Sequence, residues 1–267
     1  MNISLPNDAE GELLIERGLT IVVPFYDDFN RLELQFKNWR KFSQKVRDKL
    51  HIILVDDCSP NPLILPPSKL KRINFDLSIY RITTDLKWNT PGALNLGITQ
   101  APTEWVFIMD SDCLIEPDMI EKLMVELTPE QRFIYWFRRR RITNDPKKAG
   151  NKKYLPCTIL FNKTMFHEIG GFDEDFTGGH NDGYGFFDND FGYKSEEFVY
   201  TQGRVRGVKI TEYMEDIVGP NVQQRTNVRA TVELEINRKM YREKCLGQIP
   251  RSTDILRFEW EKLYGNN

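Results

Sequence analysis

A chain of 267 residues, 40% hydrophobic and 12% aromatic, can bury a substantial core as one large domain; with 28% charged residues and a formal net charge of −2 it is neither a disordered polymer nor a globally basic nucleic-acid binder. The four cysteines, Cys58, Cys113, Cys157 and Cys245, stand far apart without a Cys-x-x-Cys pair, which indicates neither a zinc cluster nor a disulfide scaffold and makes a reducing, cytoplasmic compartment the default expectation. No apolar run approaches the ~20 residues of a membrane span, so a soluble chain is expected, with peripheral membrane association left open.

In chain order, residues 1–18 read as an acidic N-terminal extension, and Leu19 to Phe25 is a short β-branched run halted at Pro24. Asp27 and Asp28 introduce an amphipathic segment to about Lys45, with Leu32, Leu34, Phe36 and Trp39 as core candidates. His51 to Ser59 is a second buried strand that ends in Asp56 and Asp57, followed by a Pro- and Asn-rich loop through Pro67. A third strand, Leu77 to Thr83, leads to a helix that Pro91 can open and in which Gly92 permits close backbone approach. Strands alternating with helices at these spacings predict an α/β fold, a mainly parallel central sheet with helices on both faces.

The fourth strand, from Trp105, is apolar through Met109 and runs directly into Asp110-Ser-Asp112. Ligands of open α/β sheets gather at the carboxyl ends of strands, and side chains two apart on an extended backbone share a side. Asp110 and Asp112 thus offer two hard oxygen ligands suited to Mn²⁺ or Mg²⁺ shared with phosphate oxygens. A turn or helix cap ahead of Pro117 is the competing reading. Phe133 to Phe137 and Tyr154 to Phe161 read as strands, Asn162 to Ile169 as a short helix, Val208 to Tyr213 as a strand and Asn227 to Cys245 as a helix. Residues 223–267 are expected to form a C-terminal helical extension with a tail that wraps the domain. Arg138 to Arg141 is the one strong basic run; it can meet an anionic acceptor, but a solvated strand end is the commoner outcome, and no nucleic-acid partner is expected.

The motifs Val22-Val-Pro-Phe, Leu54-Val-Asp-Asp-Cys-Ser, Gly92-Ala-Leu-Asn-Leu-Gly and Met109-Asp-Ser-Asp occur in the order found in GT-A fold glycosyltransferases, and the chain resembles that family, in a family 2-like form. The resemblance implies a domain over about residues 19–222, with a nucleotide-sugar half at about 19–115 and an acceptor and catalytic half at about 116–222. It implies nucleotide-sugar contacts at Pro24, Phe25, Asp56, Asp57, Asn89, Gly92, Asn95, Asp110, Ser111 and Asp112, with the metal on Asp110 and Asp112. The family often carries an arginine before the helix asparagine; here Leu94 precedes Asn95. Further on, Gly170-Gly-Phe-Asp-Glu and Gly183-Tyr-Gly-Phe-Phe-Asp-Asn-Asp190 resemble the β-1,4-galactosyltransferase-type block. On that likeness Asp188 is the catalytic base of an inverting enzyme, and Asp182, Tyr184 and Gly185 bind the acceptor. Phe187 stands where that block has an acceptor-orienting glutamate, a role that Asp182 is a candidate to fill.

The residues support such chemistry independently, because transfer from a nucleotide diphosphate builds negative charge on the leaving phosphates, and a carboxylate must take the proton of the attacking hydroxyl. N-capping is the competing reading of Asp188 and Asp190, and an ordinary surface loop that of Gly178 to Gly185, which otherwise suits closure over the donor. Related enzymes often use a histidine late in the domain; with none here after His180, the coordination would be completed by phosphates, by water or by a carboxylate such as Asp216 or Glu215. The expected function is a metal-dependent inverting transfer from a nucleotide-diphospho-sugar, UDP-linked, to a glycan or glycoconjugate acceptor. A nucleotidyltransferase would want a basic Gly-rich phosphate loop where Pro24-Phe-Tyr-Asp-Asp28 stands, while a non-catalytic sugar-binding protein of the same fold stays open because of Phe187.

Overall fold

The computed structural model describes residues 1–3, 11–178, 183–218 and 231–265. Its central sheet is built on four parallel strands: β2 (Leu19–Phe25), β3 (Leu50–Asp57), β4 (Asp76–Ile82) and β5 (Trp105–Ile108). Alternate residues of these strands feed two separate cores, as a pleated strand buried on both faces must. Ile21, Val23, Ile52 and Leu54 pack with Leu32, Phe36 and Trp39 of helix α1 (Phe29–Trp39). Val22, Ile53 and Val55 pack on the other face with Ala93, Leu94, Leu96 and Ile98 of helix α2 (Thr90–Thr99). Each such apolar side chain, when fully buried, contributes about 1.5–3 kcal/mol relative to exposure.

Outward from β5 the sheet continues as β8 (Gly150–Asn162), β7 (Phe133–Ile142), β9 (Thr201–Tyr213) and β1 (Asn2–Ile3), while β10 (Trp260–Tyr264) closes the other edge on β4. The β5–β8, β7–β8 and β4–β10 pairs are antiparallel, as is the pairing of the short strand β6 (Cys113–Ile115) with β9. Helix α3 (Pro117–Glu126) follows β6, and α4 (Lys163–Glu168) and α5 (Phe187–Glu197) pack on the α2 side through Met165, Phe166, Phe187 and Phe191.

Two sequence expectations change here. Strand β7 runs through the basic run to Ile142, because β8 and β9 hydrogen-bond it on both sides. Among the described residues of the C-terminal extension only α6 (Thr231–Cys245) is helical; beyond it the tail returns across the domain and pairs as β10 with the sheet. That return is fixed by the segment Asp173 to Asp175. Glu174, 2% exposed, accepts hydrogen bonds from Asn95 Nδ2 at 2.8 Å, Leu256 N at 2.8 Å and Arg257 N at 3.0 Å. Asp173 accepts from Lys244 Nζ at 2.7 Å and Ser252 N at 3.1 Å.

Helix α2 lies so close to the sheet that a Cβ on Gly97 would collide with Val22 Cγ1 and press on Val55. Gly97→Ala should therefore lower stability by about 1–3 kcal/mol, the usual cost of overpacking, although alanine is the better helix former. A melting temperature equal to wild type would show that the two layers have room to separate.

Candidate active site

The sheet brings its carboxylates together at the carboxyl ends of β2, β3 and β5. After β5, Met109 N donates to Val22 O at 3.0 Å, and the chain turns so that Cys113 N donates to Asp110 O at 3.0 Å. Asp110 and Asp112 thus sit on a tight turn, where the extended backbone expected from the sequence gives way. Their ligand atoms and Cys113 Sγ all lie within 4.8 Å of one another. The turn is held from below by α1: Gln35 Nε2 donates to Ser111 O at 3.2 Å and Cys113 O at 2.6 Å, and Asn38 Nδ2 donates to Ile115 O at 2.7 Å.

Burial, reinforced by the neighbouring charges of Asp112 and Asp188, pushes the Asp110 carboxyl well above the usual range; Arg139 opposes the shift. Asp112 is raised by burial and by Glu212, against the Cys113 thiol, Arg31 and Arg139. Asp188 is raised by burial, which the N–H of Asn189 partly offsets. Burial and the same carboxylates also raise Cys113, so that it remains a thiol, donating to Asp112 Oδ1 at 3.3 Å. The donor set is therefore two hard oxygens in an anionic pocket, which fits Mn²⁺ or Mg²⁺ completed by phosphate and water. Asp216 is not part of this group; its carboxylate accepts from Thr143 Oγ1 at 2.7 Å and Asn144 N at 2.6 Å. The Glu215 side chain, Asp182 and His180 lie outside the described residues.

Other predicted site residues divide by their partners. Asp56 is wholly buried and accepts from Ser59 N at 2.8 Å, Leu63 N at 3.0 Å and Arg81 Nη1 at 2.6 Å, so it braces the loop after β3. Asp57, beside it, accepts from Asn89 N at 3.2 Å. The Asn89 side chain is fully buried, and both its amide atoms lack a hydrogen-bond partner among the described residues. Asn95 is a correction: its amide bonds Phe172 N and O, each at 2.9 Å, as well as Glu174, and is turned into the core. Gly92 is small because Asn89 and Phe258 of the tail crowd it. Pro24 is half-buried at the end of β2 and the Phe25 ring is in the core.

Asp188 lies in the first turn of α5, behind Gly185 and Phe186 at φ of 74° and 68°. Phe186 holds the N-cap position, so Asp188 is not the cap. Asp190 is spoken for by Arg251 Nε at 2.7 Å. Phe187 is a core ring packed on Phe172 and Trp88. Tyr184 and Trp88 are half-buried rings with centroids 4.8 Å apart beside it. Sequence reading overlooked Trp88, and also Gln35 and Asn38, whose signal was polar residues on the otherwise apolar face of α1. A cavity of about 480 Å³ lined by His51, Ser78, Tyr80, Gln100, Pro102, Trp260 and Lys262 lies at the opposite, amino end of β3 and β4, away from these carboxylates.

Residues 20–187 match the sequence profile described as Glycosyl transferase family 2. No curated protein matches the chain. Among solved structures, GalNAc-T7 with UDP, GalNAc and Mn²⁺ aligns at TM-score 0.58 and 14% identity over 76% of this chain and 44% of its own. TarS residues 1–349 of S. aureus with UDP-GlcNAc aligns at 0.56 and 14% over 74% and 58%. The mannosyltransferase PcManGT of Pyrobaculum calidifontis with GDP-Man and Mn²⁺ aligns at 0.55 and 17% over 91% and 68%. The chain thus spans less than half the length of GalNAc-T7, and the shared architecture is the GT-A fold.

Carboxyls that keep their protons above the ordinary range favour the fold at low pH, and that contribution is lost as pH rises through their raised values. Asp110→Asn removes the largest such group of this turn, so the variant should become increasingly more heat-stable than the metal-free wild type as pH rises from acid to neutral. Added Mn²⁺ should stabilise wild type more at higher pH, since binding displaces protons. A melting-temperature difference between variant and wild type that stays flat with pH would contradict this.

Proposed function

The chain belongs to glycosyl transferase family 2, and from that membership we propose a metal-dependent, inverting transfer of a sugar from a UDP-linked donor to a hydroxyl of a glycan or glycoconjugate. Family and fold support the activity of a nucleotide-sugar glycosyltransferase. The observation that carries the finer reading is the approach of Asp188 to the metal-binding turn, close enough for its charge to raise the Asp110 carboxyl although the two lie on separate elements. UDP is favoured because GalNAc-T7 and TarS are seen with uridine ligands, and a divalent ion because GalNAc-T7 and PcManGT are seen with Mn²⁺. A reducing, cytoplasmic setting accords with free thiols at Cys58, Cys113 and Cys245.

In this reading the diphosphate lies against Asp110 and Asp112, and a bound divalent ion would supply neutralising charge there. Asp57, Asn89 and the backbone at Pro24 and Phe25 face the nucleoside. Trp88 and Tyr184 offer ring faces to the C–H surface of a sugar, with Gly185 leaving space beside them. The acceptor oxygen attacks the anomeric carbon from the face opposite the diphosphate and gives its proton to an Asp188 oxygen. The anomeric C–O bond breaks, its electron pair passing to the β-phosphate oxygen, so that UDP leaves and the configuration inverts. Burial makes Asp188 a stronger base than a surface carboxylate, which suits that proton transfer.

Asp188→Asn should fold and bind UDP-sugar like wild type while turnover falls ~10²-fold or more. Proton coupling constants should report an anomeric configuration opposite to the donor's. Retained configuration, or normal turnover in the variant, would refute the assignment.

A further inference from the structure

The basic run on β7 belongs to the same cleft. Because side chains alternate along a strand, Arg138 and Arg140 face solvent, whereas Arg139 and Arg141 turn inward and are half-buried. Both reach Glu212 of β9, which is 5% exposed: Arg139 Nη1 donates to Oε1, and Arg141 donates to both oxygens through Nε and Nη2. Glu212 is the backbone partner of Cys113, directly after the metal-binding turn. One carboxylate therefore holds two guanidinium groups, leaving one positive charge in excess beside Asp110 and Asp112, whose carboxyls both feel Arg139. The Arg139 Nε–H is buried and has no hydrogen-bond partner among the described residues. A buried guanidinium donor left unmade is costly unless a ligand completes it.

We propose that Arg139 is a diphosphate-binding residue of the donor site, with Glu212 as the positioning residue that aims it and Arg141 as the counterweight that keeps Glu212 in place. The inference rests on the reading of this cleft as a nucleotide-sugar site and deepens it. A planar fork suits a phosphate oxygen better than a lysine point charge does, and Nε–H and Nη2 lie on one edge of that fork, free of the Glu212 contact made by Nη1. Arg139 then stabilises the β-phosphate oxygen on which negative charge accumulates as the anomeric bond breaks. The competing role, simple neutralisation of Asp110 and Asp112, differs in the diphosphate: removing a nearby positive charge would strengthen cation binding in either case, but would leave diphosphate binding alone if neutralisation were the whole role.

The test measures calorimetric affinity for Mn²⁺ alone, for uridine, and for UDP and inorganic pyrophosphate with Mn²⁺, in wild type, Arg139→Gln, Arg139→Lys and Glu212→Gln. Arg139→Gln should weaken UDP and pyrophosphate roughly tenfold or more, as expected for lost bonds to a charged group, while uridine is unchanged and Mn²⁺ alone binds at least as well. Arg139→Lys, which keeps charge without the fork, should fall between, and carries the test should Arg139→Gln fail to fold. Glu212→Gln should weaken the diphosphate probes but not uridine. Diphosphate affinities equal to wild type in the folded Arg139 variants would overturn the proposal. Pyrophosphate binding that depends on Arg139 in a protein indifferent to nucleotides would uphold it and remove the donor reading instead.

Discussion

Glu174 is the point at which otherwise separate parts of the molecule meet. A buried carboxylate is tolerated only when its lone pairs are satisfied, and here they are taken by the side chain of Asn95 and the backbone of Leu256 and Arg257. One group thereby ties α2, the turn after Gly170 and Gly171, and the returning tail to each other. Lys244, itself buried, binds Asp173, Asp175 and Pro250 O, and so pins α6 to the same turn. Lys194 of α5 donates to Gly171 O, so the helix that carries Asp188 is referenced to that hub as well.

The consequence for the cleft is rigidity on the side where a base would stand. Asp188 projects from a helix whose inner face, Phe187 and Phe191, is packed on Phe172 at centroid distances of 5.2 and 4.6 Å. On the opposite side the turn that carries Asp110 and Asp112 is held by Gln35 and Asn38 through backbone carbonyls and not through its carboxylates. Asp27, Cys58 and Phe186, all non-glycine, take positive φ after β2, after β3 and before α5, as do Val199 and Leu256 elsewhere in the chain. Asp110 and Asp112 are buried among the charges of Asp188, Glu212 and Arg139, and the carboxylates outweigh the guanidinium, so their carboxyls hold protons above the usual range.

Much of this was legible in the chain itself. The β-branched runs at Leu19, His51 and Trp105 declared strands buried on both faces, and a run buried on both faces requires helices on both sides; periodicity is local and survives without knowledge of partners. The pairing of an apolar run with Asp110 and Asp112 marked the carboxyl end of a strand as a site, and the order of motifs gave the family that the profile match then established. What the sequence left undecided was which polar residue of each motif reaches the cleft. Asp56 and Asp57 are adjacent and chemically identical, yet one is engaged by Ser59, Leu63 and Arg81; Asn95 looks like a ligand contact and serves Glu174; Asp190 serves Arg251, two residues along the same helix from Asp188. The basic run looked like a solvated end, and only the pairing of β7 with β9 turned two of its arginines onto Glu212. Composition and periodicity thus determined the layers, because burial along a strand or helix is written in neighbouring residues. The assignment of each charge was decided by tertiary structure, because it depends on partners brought from distant parts of the chain.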